Sequence, residues 1–400
     1  MRQIKMGLLS LDYLLGVIII ACQLFALRDM ASALFYGTFF VTLILWVSTL
    51  FDSVNDIDIL AIFIIVLAFS NVLVNGISSG AEVSFQYFKK YIMFSCTVIF
   101  FASAVKLELE KRTIKFLNIC YAGTGALFLL LYLFGGRRIY YISGRYSSYL
   151  TFGFTNPNLT AIFLSCIVMY LVVIANAEKN IYKKIIFFAI VTAEIFFIFK
   201  TRSRNALLAT AIFIVIFAVE ILFKKRLKIK KWMLAIAAVF PLVFALLYLQ
   251  LVQRSVVQKY FSFIIEEGKK LSSRISIWRP ALKEFQRSPF FGAYYQISNG
   301  TGMSQLHNTH IDILSSYGVV VLILVCVYLY KVMCRANAQG TDRSVSTKML
   351  IAFVCTILLG TGEAALFSGG LGIYLFVGIF LLTPSFEGGK KNKNEISIYK

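Results

Sequence analysis

The sequence predicts an all-α protein that crosses a lipid bilayer many times. Of its 400 residues 59% are hydrophobic, and the mean hydropathy is +0.79. Apolar runs of about 20 residues, the length that crosses ~30 Å of hydrocarbon, recur from end to end. The runs are continuous rather than alternating, so their backbone groups are satisfied within helices and not between barrel strands. A soluble globular domain is excluded on the same grounds.

Twelve spans are expected in order, at roughly 7–27, 31–51, 58–78, 88–106, 114–134, 154–176, 184–200, 205–223, 232–252, 309–333, 348–367 and 369–385. The first follows Met1-Arg-Gln-Ile-Lys5 and carries no small-residue cleavage site, so a retained span is expected there. An N-terminus inside puts the basic stretches Lys106 to Lys115, Lys179 to Lys184, Lys224 to Lys231, Lys331 to Lys348 and the tail at Lys390 in the cytoplasm. That agrees with the positive-inside rule, and both termini are then cytoplasmic. The chain divides into N-terminal helices over 1–135 (spans one to five) and a core over 136–385 (spans six to twelve). The core includes a long external loop at 253–308 between spans nine and ten, and a basic tail follows at 386–400.

A net charge of +21 raises the question of nucleic acid, but the 40 Lys and Arg are spread over short loops and form no soluble basic face. Orientation and attraction to anionic membrane lipid account for them better. The seven cysteines, Cys22, Cys96, Cys120, Cys166, Cys326, Cys334 and Cys355, lie in or beside apolar runs, which predicts neither a disulfide nor a zinc site.

The informative charges are those left outside by this topology. They are Gly136-Arg-Arg-Ile-Tyr-Tyr-Ile-Ser-Gly-Arg145, Lys89-Lys90, Lys200-Thr-Arg-Ser-Arg204 and the long loop. That loop sets Arg254, Lys259, Lys269, Lys270, Arg274, Arg279, Lys283 and Arg287 against Glu266, Glu267 and Glu284. Topology disfavours cations there, so an anionic ligand is expected. Within the loop Trp278, Ala281, Leu282 and Phe285 share one helical face, while Arg279, Lys283 and Arg287 form a basic stripe. The pattern predicts a short amphipathic helix at the bilayer surface, with Pro280 in its first turn and Ser288-Pro289 and Gly292 ending it.

His307 and His310, the only histidines, stand at i, i+3 where the loop re-enters the membrane. They fit a proton-transfer pair, and equally two interfacial side chains making ordinary hydrogen bonds. A metal set of His307, His310 and Asp312 is less well supported, since no cysteine or second acidic cluster joins it. Arg202 and Arg204 occupy a tight outer turn; a guanidinium there either grips phosphate in bidentate fashion or snorkels to headgroups, and Arg274 and Arg279 carry the same two readings. Asp12, Glu194 and Glu363 are acids in apolar runs, for which structural ion pairs are expected; Glu363 near the outer end is placed to pair with an arginine or transfer a proton. Asp56-Ile-Asp58 has the form of a metal-binding acid pair but lies on the cytoplasmic side.

Phe154-Thr-Asn-Pro-Asn158, Thr201-Arg-Ser-Arg-Asn205, Arg274-Ile-Ser-Ile-Trp278, Pro289-Phe-Phe-Gly292 and His307-Asn308 occur in that order. Together they resemble the O-antigen polymerase and O-antigen ligase superfamily, the Wzy and WaaL proteins, over about 145 to 330. The resemblance implies a GT-C-like glycosyltransferase acting outside the cytoplasmic membrane on glycan carried by undecaprenyl pyrophosphate, with no metal and no cofactor. It implies Arg204 and Arg274 at the pyrophosphate and His307 activating the acceptor hydroxyl, with Arg202, Arg279, Asn308, His310, Asn156, Asn158 and Arg145 as substrate-binding residues. Asn205 departs from the small residue common after the arginine in such relatives. A polymerase joining lipid-linked repeats is the favoured activity, with a flippase and a chain-length regulator as implied partners. Transfer to lipid A core or to protein is the near alternative, and a transporter of lipid-linked glycan is the rival from another class.

Overall fold

A computed structural model of the chain describes residues 1–78, 85–140, 149–154, 156–223, 228–251, 269–294, 306–339, 343–368 and 372–384. The helices are α1 (Arg2–Leu24), α2 (Arg28–Leu50), α3 (Asp56–Ser78), α4 (Phe85–Ala104), α5 (Lys111–Phe134), α6 (Pro157–Ala177), α7 (Ile181–Thr201), α8 (Arg204–Phe223), α9 (Lys231–Leu251), α10 (Lys269–Phe285), α11 (Thr309–Gln339), α12 (Arg343–Leu359), α13 (Ala365–Ser368) and α14 (Ile373–Gly378). Among the described residues eight helices, α1, α2, α3, α5, α6, α8, α9 and α11, are long and apolar enough to cross a membrane. The chain is therefore an all-α polytopic membrane protein. α6 is apolar all round, and residues Thr160 to Ala175 are all buried, which places it at the centre of the bundle. The outer helices leave Phe63, Ile77, Val215 and Leu222 exposed, as lipid-facing surfaces do.

One end of the bundle gathers the first residue of α1, the α2–α3 turn and the α4–α5 junction. Arg2 meets Glu108 at 3.5 Å and Glu110 at 3.3 Å, Lys5 pairs with Asp52, and Lys106 meets Asp58 at 2.5 Å. Asp56 is held by Lys331 at 2.5 Å, so both acids of the Asp56-Ile-Asp58 stretch are engaged by lysines.

The last crossing differs from the regular span expected over 369–385. After α12 the chain turns at 360–364, forms the short α13 and α14, then a 3₁₀ turn at Ile379–Leu381, and β2 (Thr383–Pro384) pairs in parallel with β1 (Glu108–Leu109) at the N-terminal end. The crossing is complete but broken. Gly372 at φ +80° explains one break, since that conformation suits glycine. Irregular backbone at this depth is tolerated only inside protein, and Ile373 to Leu382 are all buried.

α11 is broken as well, at Gly318 (φ +85°, ψ 174°). The segment Pro289 to Ala293 wedges into the break: Ala293 N donates to Ser315 O (2.8 Å) and Val319 N to Pro289 O (2.9 Å). From α3, Asn71 Nδ2 donates to Tyr317 O (2.5 Å) and Asn75 Nδ2 to Phe291 O (2.7 Å), while Tyr87 OH donates to Ser316 O (2.5 Å). The carbonyls released by the break are thus satisfied by side chains of neighbouring helices.

Two further expectations are corrected. Pro280 lies well inside α10 rather than in its first turn, because the segment before Trp278 is also helical. The apolar face of α10 is not free for the bilayer surface: Ile277, Trp278 and Ala281 are buried against Ala245 and Leu249 of α9 and Ile311 of α11. Of Asp12, Glu194 and Glu363, only Glu363 has the expected ion pair among the described residues. Asp12 instead accepts a hydrogen bond from Thr42 (2.6 Å), whose hydroxyl also meets Tyr374 OH (2.9 Å), and buried Glu194 lies beside Gly125, its carboxyl oxygens having no hydrogen-bond partner among the described residues.

Candidate functional site

At the end of the bundle opposite the N-terminus, the turn after α12 is clamped from two sides. Asn205, in the first turn of α8, donates through Nδ2 to Leu359 O (2.6 Å) and accepts from Thr361 Oγ1 (3.3 Å). Across the turn, Thr309 N donates to Gly360 O (2.8 Å) and Thr309 Oγ1 to Glu363 O (3.2 Å). Gly360 and Gly362 are needed for this fit, since a Cβ at either would press on Thr309 or Asn205 at about 3 Å. Asn205, the departure from the resembled pattern, therefore ties the turn to the residue beside Arg204.

The clamped turn presents Glu363, and three side chains converge on it. Arg274 of α10 meets Oε1 at 3.0 Å, Asn158 Nδ2 of α6 donates to the same oxygen at 2.5 Å, and His307 Nδ1 lies 2.9 Å from Oε2. Glu363 is buried, while Arg274 and His307 keep about a fifth of their side-chain surface open. Burial pushes the Glu363 carboxyl up, but the hydrogen bonds from His307 and Arg274 and the charge of Arg274 outweigh it and hold the group below the usual carboxylate range. An ionised carboxylate only accepts, so His307 Nδ1 donates to it and Nε2 is the ring nitrogen left to face a substrate.

The remaining sequence-predicted residues fall into separate groups. Arg202 caps α7 in the left-handed region (φ +56°) and lays its guanidinium 4.9 Å over the Tyr149 ring. Arg204 opens α8 with an exposed side chain, where the helix N-terminus adds its own positive field. Asn156 caps α6, its side chain accepting from Asn158 N at 2.9 Å, and so sets the direction of Asn158. Arg279 is exposed on α10, and Arg145 lies outside the described residues.

His310 and Asn308 lie at packing positions, both wholly buried, and are not brought to the open side of the cluster. Asn308 caps α11 by accepting from His310 N and Ile311 N (both 3.0 Å) and donates to Pro241 O (2.9 Å) and Thr361 O (3.1 Å). His310 Nε2 donates to Ala238 O at 2.7 Å and so ties α9 to α11 beside Pro241. His310→Ala should therefore lower stability by about 1–3 kcal/mol while leaving the rate per folded molecule near wild type. Thermal denaturation and initial rates on the same purified sample check this; a lost rate at unchanged stability contradicts it.

Glu363 is the hub that sequence reasoning left out of the site. Its signal was present, an acid after Gly360-Thr-Gly362 in an apolar run, but the sequence alone does not say which cation it meets.

Residues 185–326 match the family model described as O-antigen ligase, Wzy_C. That stretch resembles an O-antigen ligase domain. Members of this family are glycosyltransferase-like enzymes acting on lipid-linked glycans. The search of curated proteins found no match to the chain. The matched stretch contains Arg202, Arg204, Arg274 and His307, whereas Asn158 and Glu363 lie outside it. Two residues beyond the matched stretch thus complete the cluster around its arginine and histidine.

Proposed function

We propose that the protein is a polysaccharide polymerase of the O-antigen polymerase and ligase superfamily. It joins undecaprenyl-pyrophosphate-linked oligosaccharide repeats on the outer face of the cytoplasmic membrane, with inversion and without a metal. The observation that carries the reading is the convergence of Arg274 and His307 on one buried carboxylate, Glu363, at 3.0 and 2.9 Å. An anion-binding cation and a proton acceptor are thereby held side by side, and the turn beneath them is pinned to the residue next to Arg204.

The chemistry follows from those positions. A hydroxyl of the acceptor repeat attacks the anomeric carbon of the donor glycan and forms the new C–O bond. Its proton passes to His307 Nε2, and the Nδ1–H hydrogen bond to Glu363 stabilises the imidazolium that results. The bond from the anomeric carbon to the pyrophosphate oxygen breaks, and the electron pair leaves with the pyrophosphate. Arg274, held by Glu363, meets that growing negative charge and needs little reorganisation as it develops, and Arg204 at the start of α8 is assigned to the same pyrophosphate. Arg202 and Asn158 are assigned to substrate binding. The lysine-rich stretches at the opposite end of the bundle support an external site under the positive-inside rule.

The test supplies purified protein with the lipid-linked repeat extracted from cells that lack it, and separates the products by size. A ladder of polymer, formed equally in EDTA, is expected. A single transfer to added lipid A core would assign the ligase activity that the matched domain's description names. No product with either acceptor, or loss in EDTA reversed by magnesium, contradicts the proposed reaction.

A further inference from the structure

We infer that the buried pair Lys90 and Asp312, remote from the reacting atoms, is a positioning pair that holds His307 in its working conformation. The inference rests on the reading of His307 as the proton acceptor.

His307 sits at φ +52°, the left-handed region, which is unfavourable for a residue with a Cβ. Such a conformation persists only where its surroundings fix it. Here the peptide groups on both sides are pinned. Leu306 N donates to Asp312 Oδ1 (3.0 Å), and Trp278 Nε1 of α10 donates to Leu306 O (2.7 Å). On the other side Asn308 is locked as the cap of α11.

Among these anchors Asp312 is the one that carries a charge, and it depends on a counterion. Its second oxygen, Oδ2, meets Lys90 Nζ of α4 at 2.8 Å, with the two side chains only 2% and 6% exposed. The Lys90 ammonium also lies 5.1 Å over the ring of Tyr294, which stacks on Tyr87 at 3.9 Å. A buried ion pair is weak evidence for stability, because apolar replacements are often as stable; its use here is orientation. Lys90 holds Asp312 turned so that Oδ1 faces Leu306 N. Without Lys90 the carboxylate rotates, and one of the restraints that hold the His307 backbone is released.

Kinetics of the purified full-length protein on extracted lipid-linked repeat test this. Lys90→Met should lower kcat by about tenfold to a hundredfold with KM changed by less than about twofold, the pattern of a misplaced reacting group. In Lys90→Met/Asp312→Asn neither partner is charged and the Asn oxygen still accepts from Leu306 N, so most of the rate should return. In a His307→Ala background Lys90→Met should change the residual rate by less than about twofold, since no imidazole is left to misplace.

Wild-type kcat in Lys90→Met, no recovery in the double variant, or an undiminished loss in the His307→Ala background would each overturn the positioning role. Those outcomes leave the proposed function standing. A wild-type rate in His307→Ala alone would instead overturn the reading of His307, and this inference with it.

Discussion

His307→Ala should lower turnover by about 10²- to 10⁴-fold, the range attributed to a positioned proton acceptor. The side chain is partly open, its Nδ1 is committed to Glu363, and Nε2 is the atom left to face a substrate. Removing it opens no large cavity in the core, so the variant should insert and purify like the wild type. Single-turnover assays on the lipid-linked repeat, beside the elution profile of the same sample, separate loss of chemistry from loss of fold. The defect should lie in kcat, because the imidazole acts on a proton that moves only as the bond forms. A rate within about threefold of wild type would remove His307 from the mechanism.

Glu363→Ala should be at least as damaging, for a different reason. Three donors from α6, α10 and the loop before α11 share this carboxylate, so its removal leaves Arg274 and His307 without their common anchor. Breaking a buried charged contact from one side costs about 3–5 kcal/mol, equivalent to a rate loss of roughly 10²- to 10⁴-fold if it falls on the reactive geometry. Glu363→Gln separates charge from shape. It keeps an acceptor for one donor but offers N–H to another, so it should retain more stability than the alanine variant while still losing most of the rate. Equal activity of Glu363→Gln and wild type would show that the charge of Glu363 is not needed.

The sequence displayed the helices well because lipid imposes a strong and simple pattern, a run of apolar residues of fixed length. It displayed less where protein replaces lipid around the backbone. The crossing from Ala365 to Thr383 is apolar enough to read as a regular span, but Gly372 and full burial let it break into short pieces. The extent of α10 was hidden for a related reason, as packing of Ile277 and Trp278 on α9 carries the helix well ahead of Pro280.

The site was legible in its cations and not in its anion. Arg204, Arg274 and His307 stood out because topology disfavours positive charge where they lie. Glu363 had no such contrast, since an acid in an apolar run fits an isolated ion pair as well as a hub, and only the fold brings Asn158 to it across 205 residues of chain. His310 misled through its spacing: at i, i+3 it shares a helical face with His307, but the left-handed backbone at His307 breaks that register and leaves the second ring buried against Ala238.

The central claim is that guanidinium groups at this end of the bundle grip a lipid pyrophosphate beside His307. A cryo-electron-microscopy structure of the protein in lipid nanodiscs with undecaprenyl pyrophosphate tests it most directly. The account predicts the two phosphates within hydrogen-bond distance of Arg204 and Arg274, next to the open face of His307. Pyrophosphate bound at the lysine-rich end with Lys5 and Lys106, or seated with no arginine in contact, would contradict it.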